Sequence, residues 1–115
     1  AGAYDVVMPD IKYVGSIDEM LALARRLDGS GTAFSPHNPS GPVSHAASLH
    51  CCAAVATMER LEMQFDETEV FDTLVGGRLA LPAGGVSALP AGSGLGVSLD
   101  PEVLACYRDS GVVFA

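Results

Sequence analysis

The sequence has no tryptophan and very little positive charge. Six Lys and Arg stand against 14 Asp and Glu in 115 residues, a net charge of −8. Proteins that hold nucleic acid neutralise phosphates with clustered basic side chains, and these six are scattered. The shortage excludes nucleic acid as a partner and argues against an anionic membrane surface. Long apolar runs are also missing. None approaches the roughly 20 residues that cross a bilayer, and no basic start leads into an apolar signal core. Cysteine is scarce and poorly spaced for a disulfide framework, with an adjacent pair, Cys51-Cys52, and a lone Cys106. An odd count of this kind predicts free thiols in a reducing compartment. Asn38-Pro39-Ser40 is no glycosylation signal, because proline fills its middle position. The expected location is the cytoplasm.

Charge of either sign is in short supply. Only 17% of residues are charged and 49% are apolar. The length allows one domain at most, with a modest core. A self-contained small domain carries more polar surface than this. The excess predicts surface buried against more protein, either a second copy in a homo-oligomer or a missing part of the same architecture.

What is present is a repeating pattern. Tyr4-Asp5-Val6-Val7-Met8-Pro9 is a short run rich in β-forming residues and reads as a buried strand, with Asp10 just past its end. Ser16-Ile17-Asp18-Glu19 has capping-box form, so a helix starts there. Ile17, Met20, Leu21, Ala24 and Leu27 share one face of that helix, and Gly29 and Gly31 close it. Thr32-Ala33-Phe34-Ser35 is a second strand, with His37 just beyond it. Pro42 suits a first helical position, and small residues dominate from Val43 to about Thr57. A third strand is expected over Arg60-Leu61-Glu62-Met63-Gln64-Phe65, ending at Asp66. The strand starts at Tyr4, Thr32 and Arg60 are each 28 positions apart, the size of a βα repeat with parallel strands. The pattern predicts an α/β fold. Residues 1–75 read as successive βα units. Residues 76–115 read as a Gly/Pro-rich segment of the same domain that wraps over them, with a short helix starting near Asp100-Pro101.

In parallel α/β folds, functional groups gather where strands end and helices begin. Asp10 and His37 both stand there, one βα unit apart. A carboxylate beside an imidazole fixes its tautomer and stabilises the imidazolium, so the histidine can take a proton near neutral pH. Glu62, in the third strand, can face the same cavity, with Gln64 on the same face and Asp66 at the strand end. The plain alternative is a helix cap at Asp10 and a stiff turn at His37, between Pro36 and Pro39. Other groups carry less. His45 and His50 are five apart on a helix and do not share a face as paired metal ligands would. Cys51-Cys52 on an alanine-rich helix reads as packing. Asp66, Glu67, Glu69 and Asp72 lack calcium-loop spacing. Gly92-Ser93-Gly94-Leu95-Gly96 is not a dinucleotide fingerprint.

Three motifs in order carry a resemblance: Met8-Pro9-Asp10-Ile11-Lys12-Tyr13-Val14-Gly15, then Ser35-Pro36-His37-Asn38-Pro39-Ser40-Gly41-Pro42, then Leu61-Glu62. Together with Gly94-Leu95-Gly96, they resemble the C-terminal barrel of the mandelate racemase and muconate-lactonising branch of the enolase superfamily. The resemblance implies the last three βα units of a modified TIM barrel plus a segment folded back over it. It implies His37 as catalytic base, Asp10 as its orienting partner and Glu62 as a carboxylic acid on the substrate side. It implies abstraction of a proton α to a carboxylate with Mg²⁺ as cofactor, most often in an acid-sugar dehydratase, a lyase. A racemase or epimerase is the alternative outcome, and a catalytically incomplete fragment without a metal site is another. The family's metal-binding carboxylates lie on earlier strands, so no metal ligand is expected within this sequence. The implied substrate is a small carboxylate of the acid-sugar class.

Overall fold

The computed structural model describes residues 2–63, 70–76, 79 and 82–108. Strand β1 (Val6–Val7) pairs in parallel with β2 (Ala33–Phe34), Val6 opposite Ala33 and Val7 opposite Phe34. The named strands are short, but their hydrogen bonding continues past them. Ala33 donates to Asp5, Ser35 to Val7 and His37 to Pro9, at 2.8, 3.0 and 3.1 Å. This regular spacing is that of a parallel ladder, and it carries the register to the carboxyl ends of both strands.

Between them lie α1 (Ile11–Val14) and α2 (Ile17–Leu27). The short α1 was not expected. Asp10 is its N-cap, and Gly15 ends it at φ 106°, a left-handed conformation that glycine adopts without a Cβ penalty. Ser16 then caps α2 as the capping-box reading predicts, its hydroxyl accepting from the Glu19 amide at 3.1 Å. On the expected apolar face, Met20 and Ala24 are fully buried. Leu21 and Leu27 pack at the margin of the core, and Ile17 remains exposed.

Helix α3 (Pro42–Ala53) starts at Pro42 as expected and ends four residues before Thr57. It is buried on both sides, which explains its small residues and its lack of a single apolar stripe. Cys51 and Cys52 pack with Met20, Ala24 and Phe34 in one cluster. Ala46 and Leu49 pack with Val75 and Leu79 in another. All three cysteines are free thiols. Burial raises the pKa of Cys51, and burial together with its neighbour pushes Cys52 up to about 12. The pair is packing, and its thiols stay protonated at neutral pH.

No third strand forms among the described residues, and an isolated parallel bridge from Phe34 to Met58 precedes the stretch where one was expected. Pairing with β2 begins earlier, around Met58, where Phe34 donates to Thr57 and accepts from Glu59. A regular parallel ladder would next bring the residue-61 amide to Pro36. Instead the Glu62 amide reaches the Pro36 carbonyl, at 3.3 Å. Proline offers no N–H to continue the ladder, and one extra residue slips in on the third segment. Gln64, Phe65 and Asp66 lie outside the described residues.

Beyond this lie α4 (Val70–Thr73) and α5 (Pro101–Arg108). Asp100 starts α5 as expected, its carboxylate accepting from the amides of Glu102 and Val103. Between the two helices, the only paired stretch among the described residues is a bridge from Ala83 to Val86. His50 Nε2 meets the Leu95 carbonyl at 3.2 Å and fastens that region to α3. Gly96 sits at φ 72° with Pro90 so close that an added Cβ would come within 2.7 Å. Only glycine fits there.

Candidate active site

The ladder from β1 to β2 determines where the first two candidate groups meet. Because the His37 amide is bonded to Pro9, its side chain lies beside Asp10. Asp10 is 5% exposed and serves two structures at once. Oδ1 accepts from the Lys12 amide at 2.8 Å, capping α1. Oδ2 meets His37 Nδ1 at 3.0 Å, with Lys12 Nζ 3.7 Å away. Burial alone would raise the Asp10 pKa. The bonds from the Lys12 amide and His37, with the nearby positive charge, outweigh burial and hold the carboxyl below its ordinary value.

An ionised carboxylate on Nδ1 requires a proton there. In a neutral His37 the lone pair is then on Nε2. The side chain as a whole is 42% exposed. Nε2 faces Glu62 Oε2 at 3.9 Å, beyond hydrogen-bond length. Glu62 is tied down from another side, with Oε2 accepting from the Asn38 amide at 3.0 Å. The three candidate residues therefore meet on one edge, in the order Asp10, His37, Glu62. The helix-cap reading of Asp10 holds as well, since the same carboxylate that meets His37 caps α1.

Two groups were not anticipated by sequence reasoning. Asn38 is 1% exposed and His45 is 1% exposed, and they are bonded to each other beneath the site. Composition and spacing gave no signal for this pair, since buried polar contacts between a loop and a helix have no period. Burial lowers the His45 pKa. His50 lies apart, on Leu95. Among the described residues, no group of three or more His, Cys, Asp or Glu is placed to hold a metal ion.

A model of the enolase C-terminal domain-like family matches residues 1–103. The chain belongs to that family, in its mandelate racemase/muconate lactonizing enzyme branch. It is 32% identical over 110 residues to D-galactonate dehydratase of Xanthomonas axonopodis pv. citri, covering 90% of this chain and 28% of that protein. It is 31% identical over 108 residues to D-gluconate dehydratase of Thermoproteus tenax, covering 93% of this chain and 22% of that one. Among solved structures, a mandelate racemase/muconate lactonizing enzyme from Sulfitobacter sp. superimposes with TM-score 0.79 at 30% identity. A mandelate racemase/muconate lactonizing enzyme-like protein from Roseovarius sp. TM1035 does so with TM-score 0.79 at 32% identity. Each covers 90% of this chain, which spans 25% of either structure.

Membership of this superfamily implies a divalent metal. The residues described here do not suit one. Both Asp10 oxygens are engaged, by the Lys12 amide and by His37, and Glu62 Oε2 is engaged by Asn38. Magnesium prefers octahedral oxygen ligands with carboxylates free to bind it, and these two carboxylates are aimed at an imidazole and an amide.

Proposed function

We propose that this chain forms the last three βα units of a modified TIM barrel, residues 1–75, with residues 76–115 folded over them. It supplies the acid–base half of an acid-sugar dehydratase site. The observation that carries the reading is the His37–Asp10 pair at 3.0 Å, with the carboxylate buried and the imidazole partly exposed. The curated dehydratase relatives support the substrate class.

In this reading His37 Nε2 takes the proton α to the substrate carboxylate. The C–H electron pair moves toward that carboxylate, and Asp10 stabilises the imidazolium. Glu62, as the substrate-side acid, hydrogen-bonds the oxygen on which negative charge gathers. When that charge returns, the β-hydroxyl departs and the same Nε2–H protonates it, releasing water and an enol that becomes the 2-keto-3-deoxy acid. One histidine serves both steps when the α-hydrogen and hydroxyl lie on the same face. The cofactor would be Mg²⁺, and we assign it no ligand in this chain.

The test is formation of 2-keto acid by the complete polypeptide, with Mg²⁺, from a panel including D-galactonate and D-gluconate. Dehydration of at least one acid sugar is expected, with His37→Asn reducing it by about 10²–10⁴-fold. Isomerisation at the α-carbon without water loss would reassign the protein as a racemase or epimerase. Complete inactivity toward the panel would overturn the reading.

A further inference from the structure

Glu62 is held from one side by three bonds, and all three come from residues 36–38. Its amide donates to the Pro36 carbonyl at 3.3 Å. Its carbonyl accepts from Asn38 Nδ2 at 3.0 Å, and its carboxylate accepts from the Asn38 backbone amide at 3.0 Å. In a continuing ladder the Asn38 amide would bond a backbone carbonyl. Here the Asn38 side chain takes over that carbonyl, which leaves the amide to grip the carboxylate.

The donor assignment follows from chemistry. The Glu62 carbonyl only accepts, so the Asn38 atom facing it is the nitrogen. The same nitrogen lies 2.6 Å from His45 Nδ1. Its second N–H must therefore go to Nδ1, and Nδ1 must carry a lone pair. His45 is then a neutral ring with its proton on Nε2. Burial of His45 favours the same neutral form. A ring protonated on Nδ1 would set two donors against each other and release the Asn38 side chain.

We propose that Asn38 and His45 are positioning residues, which together fix both the backbone and the carboxylate of Glu62 opposite His37 Nε2. The inference rests on the reading of Glu62 as the substrate-side acid. His45 touches neither His37 nor Glu62 through any described hydrogen bond. It acts by fixing the rotamer of Asn38, and Asn38 acts by holding Glu62.

The experiment uses the complete polypeptide with ¹⁵N-labelled histidine and asparagine. In wild-type protein, the nitrogen shifts should report His45 with an unprotonated Nδ1, and the Asn38 amide should exchange slowly with solvent. Protonation of Nδ1 near neutral pH would overturn the proposal without any variant. His45→Asn keeps an acceptor near the Nδ1 position, and His45→Leu removes it. His45→Leu should speed exchange of the Asn38 amide and reduce turnover about 10- to 100-fold, the scale for losing a partner that orients a site group. His45→Asn should restore both to within a few-fold of wild type. Equal losses in the two variants at matched thermal stability would point to packing alone and overturn the proposal. Failure of the catalytic reading shows differently, as equal turnover by wild type and Glu62→Ala, while the His45 tautomer still reports the network.

Discussion

At the scale of single residues, Asp10 has the most demanding position. It closes a strand, caps a helix and holds an imidazole. Its carboxyl pKa is depressed in the fold, so its contribution to stability is full above the unfolded value of 3.8 and is lost as pH falls through that region. His45 works on a different window. Burial holds its folded pKa below the ordinary imidazole value of 6.5, so the fold prefers the neutral ring. The unfolded chain then binds more protons below about pH 6.5, and stability falls as pH drops. Denaturant titrations should therefore show stability declining in two steps on acidification, first near the histidine range and then near the carboxylate range. In His45→Leu the upper step should shrink and the lower one persist. The Asp10–His37 pair was legible from position alone, because strand ends one βα unit apart are brought together by parallel pairing. Asn38 and His45 were not, since only the folded structure brings them together.

At the scale of elements, local signals were read well where a side chain makes a bond within one turn. The Ser16 cap, the Pro42 helix start and the Asp100 helix start are all cases of this kind. Helix α1 escaped notice because four residues carry no periodicity. Its signals were an Asp at the cap and a Gly five residues later, the standard termini of a short helix. The expected third strand is reduced, among the described residues, to an isolated bridge at Met58, which nothing in residues 57–59 announces. The ladder with Phe34 decides the pairing there. Two substitutions test this account of local order. Ser16→Ala should cost about 1 kcal/mol in denaturant unfolding and leave turnover unchanged. Gly15→Ala should cost about 1–2 kcal/mol, because an L-residue must then hold φ 106°. Equal and negligible effects would contradict the capping geometry.

At the scale of the molecule, the two sheet margins differ from the core. Tyr4, Val6 and Met8 along β1 are exposed, as is Tyr13 just beyond it, at 74%, 41%, 53% and 81%. On the other margin, Met58 is exposed beside a groove of about 550 Å³ lined by Leu49, Cys52, Leu61 and Val86. An apolar composition with low charge anticipated such surface. Its arrangement on opposite margins of a parallel sheet is what a partial barrel presents. Under the proposed reading, the isolated 115-residue chain should bind a hydrophobic dye such as ANS strongly or self-associate. The complete polypeptide should do so far less. Equal dye binding by both would show that these margins are not barrel seams.

Under the proposed function, His37 moves the α-proton of an acid-sugar carboxylate. The most direct test of this step is deuterium incorporation at the α-carbon in D₂O, followed by proton NMR and compared between the wild-type complete polypeptide and His37→Asn. Wild-type protein with a substrate acid sugar should either incorporate deuterium or lose the α-hydrogen with water. His37→Asn should do neither, within a folded protein of unchanged thermal stability. Undiminished α-proton loss in His37→Asn would contradict the proposed function.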